Sequence, residues 1–173
     1  MKVTILQRDI LWAEPAENVR RADEAIDRNP GSDLYVLPEM FSTGFCTQPE
    51  GIAEPAENDT LEWMKSKAAG IGAAIAGSIA VHEDGKYYNR FHFVTPDGNV
   101  TTYNKKHLFT FGGEHERFTA GDKRVIVTYR GVRILLEICY DLRFPIWSRN
   151  RGDYDMIIYV ASWPTPRVEA WKA

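Results

Sequence analysis

Residues 132–145 read VRILLEICYDLRFP, and this segment sets the architecture that we expect for the chain. Its apolar run from Val132 to Ile138 favours a buried strand, and Pro145 marks the start of a helix soon after it. Cys139 lies between them, where backbone N–H groups and a helix N-terminus can bind an oxyanion and favour a thiolate. Cys139 is therefore a candidate nucleophile, although a lone cysteine is more often a small buried core residue.

Two other predicted strands also end near a charged side chain. The apolar run LYVLP leads directly to Glu39, and a strand over residues 100–103 is followed by Lys105. A desolvated carboxylate is suited to proton transfer, and a fixed ammonium can stabilise charge on a substrate oxygen. Taken alone, Glu39 could be a first-turn helix glutamate and Lys105 part of a solvated lysine pair. Because sites in open α/β sheets gather at the carboxyl ends of strands, the three groups together favour one shared site.

Buried strands alternate with helices along the rest of the chain, which predicts an α/β layered fold. Strands are predicted over residues 3–7, 34–38, 73–81, 88–94, 100–103, 124–129, 132–138 and 156–160. Helices are predicted over residues 15–28, over 61–69 with Asp59 or Thr60 as the cap, and after Pro145. The turns at 83–86 and 96–99 are typical of hairpins, so we expect mixed sheets rather than purely parallel ones.

Composition restricts the function classes. The net charge of −3 over 173 residues, with both signs interspersed, argues against a nucleic-acid or anionic-membrane partner. The apolar runs are too short to cross a bilayer, and no signal peptide precedes the first strand, so we expect a cytoplasmic protein. The two cysteines, Cys46 and Cys139, are expected to be free thiols. No cysteine or histidine spacing predicts a metal site, and Cys46 is expected to be a bystander near the pocket mouth.

Three segments resemble the signatures of the nitrilase, or carbon–nitrogen hydrolase, superfamily in the right order. They are LPEMF at 37–41, YNKKHLF at 103–109 and ICYDLRFP at 138–145. The segments PEMFSTGF at 38–45, YNRF at 88–91 and ASWP at 161–164 are similar to the omega-amidase branch. The resemblance covers essentially the whole chain. It implies an α-β-β-α sandwich with mixed sheets, usually paired into dimers or higher homo-oligomers.

The resemblance also implies roles for four residues. Glu39 becomes the general acid/base and Cys139 the nucleophile. Lys105 becomes the oxyanion stabiliser rather than Lys106, because the family lysine stands two places before the histidine of the KKHLF segment. A second family glutamate precedes a glycine at a fixed interval, and Gly121 identifies it as Glu114.

The implied chemistry is thioester formation on Cys139 with no metal or organic cofactor. The omega-amidase branch implies a small-molecule substrate, the ω-amide of a short dicarboxylate such as 2-oxoglutaramate, which would release ammonia. Tyr140, Arg143 and Trp163 are the expected substrate-binding residues, with Arg143 holding the free carboxylate. N-carbamoyl amide hydrolysis and nitrile hydrolysis remain open, because they use the same residues.

The resemblance departs from the family pattern at the C-terminal end. Family members continue well past a helix that begins near Arg167, adding strands and helices. We therefore expect residues 1–173 to be a single carbon–nitrogen hydrolase domain whose C-terminal part is missing, with apolar sheet surface left bare. A chain of this length would on that expectation be poorly soluble and inactive. It could also be a non-catalytic module that retains the fold.

Overall fold

In the computed structural model, residues 1–169 are described, and within them nine strands form two sheets. The strands are β1 (Val3–Ile5), β2 (Leu34–Val36), β3 (Glu54–Pro55), β4 (Ala74–Glu83), β5 (Lys86–Val94), β6 (Val100–Asn104), β7 (Ile126–Tyr129), β8 (Val132–Ile138) and β9 (Met156–Val160). The first sheet has the order β1-β2-β4-β5-β6 with β3 beside β4, and the second has the order β7-β8-β9. Both sheets are mixed, as the hairpin turns predict: β4-β5-β6 and β7-β8 are antiparallel, and the remaining pairs are parallel.

The two sheets pack face to face over an apolar core. This follows from the period-2 alternation of strand side chains, which sends alternate residues of each strand to the same face. The first sheet contributes Phe91 and Phe93 of β5, and the second contributes Ile134, Leu136 and Ile138 of β8. Burying these faces is the main stabilisation of the sandwich, and it fixes the ends of β2, β6 and β8 relative to one another.

Helices α1 (Pro15–Asp27) and α2 (Asp59–Ile71) cover the other face of the first sheet. The apolar residues of α1 recur at helical spacing, with Ala22 and Ile26 buried. The predicted cap of α2 is wrong by one residue. Asn58, not Asp59 or Thr60, is the N-cap, and its side-chain oxygen accepts from the N–H of Leu61 at 2.7 Å. The helix also continues past Gly70 to Ile71, where Gly72 ends it in the left-handed conformation (φ 64°).

Helix α3 (Pro145–Ser148) is a single turn beside the second sheet. The Tyr159 hydroxyl of β9 bonds Ser148 Oγ at 2.8 Å, which holds α3 against the side of the sheet that faces away from the core. Two helical layers and two sheets thus follow the predicted α-β-β-α order, although the second helical layer is short within residues 1–169. None of the helices in this described part is long and apolar enough to cross a membrane.

Candidate active site

Glu39 follows β2 at the carboxyl end of the first sheet. The chain turns sharply there: Met40 has a φ of 46°, and its N–H donates to Ser78 Oγ of β4 at 2.9 Å. A residue that is not glycine seldom adopts a positive φ, so the surrounding contacts have to maintain it. This turn places the Glu39 side chain at the sheet edge with 0% of its surface exposed.

Lys105 follows β6 and begins a loop that closes back on itself. Its N–H donates to the carbonyl of Asn89 at 2.9 Å, and its own carbonyl accepts from the N–H of Gly121 at 2.9 Å. A Cβ at position 121 would lie 2.1 Å from the carbonyl oxygen of Asn104, so only glycine fits this close approach. Glu114 lies inside the closed loop and is fully buried.

Cys139 follows β8 and begins a 3-10 turn, Cys139–Arg143. Its φ of 42° is again in the left-handed region, so the nucleophile candidate occupies a strained corner. Asp141 stabilises the corner by accepting from the N–H of Ile138 at 3.0 Å and the hydroxyl of Tyr103 at 2.8 Å. It also accepts from the N–H of His107 at 2.8 Å, which ties the corner to the segment after Lys105.

The four predicted side chains meet in one buried cluster. Lys105 Nζ donates to Glu39 Oε1 at 2.8 Å and to Glu114 Oε2 at 2.9 Å. Cys139 lies beside them, close enough for the charge of Glu39 to act on its thiol. The backbone N–H of Ser162, just after β9, donates to Glu39 Oε2 at 3.0 Å. Lys106 points elsewhere, with its ammonium 5.6 Å from the ring centre of Trp147.

The electrostatics of the cluster set the protonation of each group. Burial would lower the pKa of Lys105, but the charges of Glu39 and Glu114 outweigh it and raise that pKa above its ordinary value, so the lysine is an ammonium. Burial raises the pKa of Glu114, against the opposing effect of Lys105. Burial first, and then the charge of Glu39, raise the pKa of the Cys139 thiol above its ordinary range.

The expectation that a helix terminus would favour a resting thiolate at Cys139 is wrong. The element after the cysteine is a short 3-10 turn rather than a long helix, so it supplies little dipole. The carboxylates of Glu39 and Glu114 instead oppose a further negative charge on the Cys139 sulfur. The resting side chain is therefore a neutral thiol, and a base is needed to activate it.

A cavity of about 90 Å³ opens over this cluster. Of the three predicted substrate-binding residues, Tyr140 and Trp163 line it, whereas Arg143 is exposed and does not. Its walls also include residues that sequence reasoning did not identify, namely Phe45, Phe109, Ser162, Pro164 and Arg167. The Arg167 guanidinium lies 5.0 Å from the ring centres of both Phe109 and Trp163, which hold it at the cavity.

A larger groove of about 450 Å³ adjoins the first and shares Phe45 with it. Its lining includes Cys46, Trp12 and Glu50. Cys46 is 1% exposed, and burial raises the pKa of its thiol to about 12, so it is a poor nucleophile. The reactive groups all line the smaller cavity, and we therefore assign the candidate site to it.

Comparisons with known proteins agree with this geometry. Residues 2–172 match the model of the carbon-nitrogen hydrolase family. Omega-amidase YafV of Escherichia coli K12 is 45% identical over 173 residues, which is 100% of this chain and 67% of the relative. The 2-oxoglutaramate amidase of Bacillus subtilis is 34% identical over 181 residues, covering 100% of this chain and 70% of the relative.

A solved structure closely matches the fold of this chain. XC1258 of Xanthomonas campestris, a CN-hydrolase superfamily protein with an arsenic adduct in the active site, superposes with a TM-score of 0.94 at 39% identity. That match covers 99% of this chain and 68% of the Xanthomonas chain. The chain thus spans about two thirds of the length of each of these relatives.

Proposed function

This chain belongs to the carbon-nitrogen hydrolase family, and from that premise we propose that it is an omega-amidase with Cys139 as its nucleophile. The substrate would be the monoamide of a 2-oxo dicarboxylic acid, such as 2-oxoglutaramate, and the products the 2-oxo acid and ammonia. The observation that carries the proposal is the buried contact of Lys105 with both Glu39 and Glu114 beside a neutral thiol. The names of the Escherichia and Bacillus relatives support the choice of substrate.

The first half of the reaction forms a thioester. Glu39 removes the proton from the Cys139 thiol while the sulfur attacks the amide carbon, so a C–S bond forms and the C=O bond becomes an oxyanion. Lys105 Nζ already donates to two carboxylates, and its third N–H can donate to that oxyanion together with the backbone N–H of Tyr140. Glu39 then transfers the proton to the leaving nitrogen, the C–N bond breaks and ammonia departs.

The second half hydrolyses the thioester. Glu39, ionised again after ammonia has left, takes a proton from a water molecule that attacks the same carbon. The C–S bond then breaks, and the proton returns to the sulfur. Because one carboxylate serves as base in both halves, its orientation matters, and the Ser162 N–H and the Lys105 ammonium both hold it.

The cavity supports a short substrate with a free carboxylate. The cavity has a volume of about 90 Å³, and a cavity of this size favours a short substrate. Arg167 supplies a guanidinium at the cavity wall, which can bind a carboxylate through two parallel hydrogen bonds. We therefore propose Arg167, in place of Arg143, as the residue that recognises the end of the substrate distant from the amide.

Ammonia release from 2-oxoglutaramate tests the proposal, with Cys139→Ala and Cys46→Ala as matched variants. We expect Cys139→Ala to abolish release, because the nucleophile is lost, and Cys46→Ala to keep most of it, because Cys46 lies outside the cavity. Equal loss from both variants would contradict the assignment. Release from N-carbamoyl compounds or from nitriles, but not from 2-oxoglutaramate, would identify another reaction of the family. If the purified natural protein shows none of the three activities, the proposed function is wrong.

Two further properties belong to the proposal. We propose that the protein is a homodimer or higher homo-oligomer, as the family resemblance implies. We also propose a cytoplasmic location, since both cysteines are free and buried and so depend on no disulfide-forming compartment.

A further inference from the structure

Asn89 of β5 faces the candidate site but has no assigned role. Phe91 and Phe93 follow it at two-residue intervals and point between the sheets, so Asn89 points the same way. Its side chain is fully buried. Its backbone carbonyl accepts the N–H of Lys105 at 2.9 Å, which links the main chain of Asn89 to the lysine that contacts both carboxylates.

The side-chain amide of Asn89 joins the two glutamates. Nδ2 donates to Glu39 Oε1 at 2.8 Å and to Glu114 Oε1 at 3.1 Å. Lys105 Nζ donates to the same two residues from the other side, at Glu39 Oε1 and Glu114 Oε2. The four side chains therefore form a closed ring in which two donors alternate with two carboxylates, and both amide hydrogens of Asn89 are used.

The orientation of the amide is fixed by its neighbours at a cost. Turning it over would point Oδ1 at two carboxylates, which are acceptors when ionised. In the orientation found, Oδ1 is buried and has no hydrogen-bond partner in the part of the chain that the structure describes. Buried polar atoms are seldom left unsatisfied. The unpaired Oδ1 therefore indicates that the two hydrogen bonds donated to the glutamates stabilise this orientation by more than the unpaired oxygen costs.

The ring carries two carboxylates and one ammonium, so a single lysine cannot neutralise it. Hydrogen bonds to an ionised carboxylate stabilise the ionised form, and two carboxylates at one site oppose each other's ionisation. Asn89 lies between them and is the second donor to the same Glu39 oxygen that Lys105 holds. The other titratable or charged groups that face Glu39 are Cys139, which opposes its charge when ionised, Cys46 behind it, and Arg167 across the cavity.

We propose that Asn89 is a positioning residue that separates Glu39 from Glu114 and orients the Glu39 carboxylate to accept the thiol proton of Cys139. This inference rests on the proposed function only for the identity of the acceptor and the thiol. It adds a fifth member to the group of residues on which activation depends. Without Asn89, the Glu39 carboxylate would lose one of its donors and would rotate more freely.

The test measures the rate at which iodoacetamide alkylates Cys139 between pH 4 and pH 8, in a Cys46→Ala background. Asn89→Leu removes the donor and keeps the branching at Cγ, Asn89→Asp adds a third carboxylate, and Asn89→Thr keeps one O–H donor. For Asn89→Leu we expect the acid limb of the rate profile to move up by about one pH unit, with roughly tenfold slower alkylation below it. Asn89→Asp should move it further, and Asn89→Thr should fall between wild type and Asn89→Leu.

Asn18→Leu is the control for loss of a buried asparagine. Asn18 is also buried, and its side chain bonds Leu11 and Ser42 away from the cluster, so this variant should melt at a lower temperature with its acid limb unmoved. If Asn89→Leu does not fold, Asn89→Thr carries the comparison. An acid limb that coincides with wild type in a folded Asn89 variant would overturn the inference. Because alkylation needs no amide, an expected shift in a protein that releases no ammonia would refute the proposed function and leave Asn89 in its role.

Discussion

Arg167 and Lys105 are the two cationic side chains among the described residues that line the cavity, and they serve different ends of the proposed substrate. Lys105 is 1% exposed and lies between two carboxylates, so it is held for the oxyanion. Arg167 is exposed, and its guanidinium packs over the rings of Phe109 and Trp163. A cation placed at the rim in this way contributes to recognition more than to bond breaking.

We expect Arg167→Met to lower kcat/KM for 2-oxoglutaramate by about tenfold, mainly through KM, because an exposed charge pair is partly screened. The same variant should change the rate on butyramide, which has no carboxylate, by less than about twofold. Arg143→Met is the matched control, since Arg143 lies outside the cavity, and it should leave both substrates almost unaffected. Steady-state kinetics on the two substrates decide between the two arginines. A specific loss in Arg143→Met would restore the original assignment.

At this scale the sequence predicts the groups with a clear chemical signal. Glu39 and Cys139 each end an apolar strand and Lys105 follows a predicted strand, whereas Glu114 was identified only by the family resemblance, through its interval to Gly121. The sequence could not predict that all four would be fully desolvated together, because burial is set by the packing of two sheets. The resting thiol of Cys139 follows from that shared burial and so was missed.

Other site residues carry a signal that gives no role. Asn89 and Ser162 lie in the segments YNRF and ASWP that resemble the omega-amidase branch, but Asn89 is in the middle of a strand and Ser162 acts through its backbone N–H, which any residue supplies. Arg167 lies 28 positions after Cys139 in the sequence but reaches the same cavity, because the chain returns through β9. Arg143, close to the nucleophile in sequence, does not line this cavity, so sequence distance alone did not indicate Arg167.

Strand β8 carries an uncompensated acid on the face opposite the core. Glu137 is 0% exposed, and neither carboxyl oxygen has a hydrogen-bond partner within residues 1–169. Burial first, and then the nearby charge of Asp141, raise the pKa of Glu137 to about 8, against the opposing effect of Arg124. Arg124 does not neutralise it because its guanidinium is ion-paired with Asp153. A group of this kind is protonated in the folded protein at neutral pH and ionised in the unfolded chain.

The sign of the pH dependence follows from that difference. Between the ordinary pKa of 4.5 and about 8 the folded state holds a proton on Glu137 that the unfolded state has lost, so the free energy of unfolding falls as pH rises. The slope is about 1.4 kcal/mol per pH unit, and it vanishes below and above this window. We expect Glu137→Gln, which is neutral at every pH, to lack this contribution and to melt above wild type by roughly 5 °C or more at pH 8.5.

Melting curves at pH 4.5, 6.5 and 8.5 check this prediction through the difference between variant and wild type. Glu116→Gln is the control, since Glu116 is an exposed glutamate whose replacement should leave the difference flat with pH. If the difference for Glu137→Gln is equally flat, Glu137 is ionised in the folded protein and its partner lies outside the described residues.

Element boundaries followed from the sequence where apolar patterns were long. Strands β8 and β9 begin and end as predicted, because each is an apolar run bounded by turn residues. Strand β3 was not predicted, since two residues of a polar loop form it only by pairing with β4. The one-turn length of α3 was also not foreseeable from Pro145, because a proline marks where a helix starts and not where it ends.

On the scale of the whole molecule, apolar side chains remain exposed beside the site as well as at the sheet edge. Ile146 of α3 is 84% exposed and its neighbour Phe144 is 37% exposed, whereas Ile5 at the outer strand β1 is 75% exposed. A contiguous apolar patch on a surface helix is typical of a contact with another protein surface. Isolated apolar residues elsewhere need no such explanation. We therefore propose that the interface of the proposed homodimer includes Ile146 of α3 and the preceding Phe144.

We expect Ile146→Asp to shift the protein from dimer to monomer, because a carboxylate buried at the interface would lose its hydration without a partner. Multi-angle light scattering behind gel filtration measures the mass directly, and far-UV circular dichroism shows whether the fold is kept. Ile5→Asp is the matched control, since it places the same charge at a similarly exposed isoleucine on the edge strand β1. The mass of this variant should equal that of wild type. Turnover of 2-oxoglutaramate in the Ile146→Asp monomer then reports whether pairing supports the site, since α3 directly follows the turn that carries Cys139. A wild-type protein that is monomeric at micromolar concentration, or an Ile146→Asp variant that stays dimeric, would refute the placement of the interface on α3.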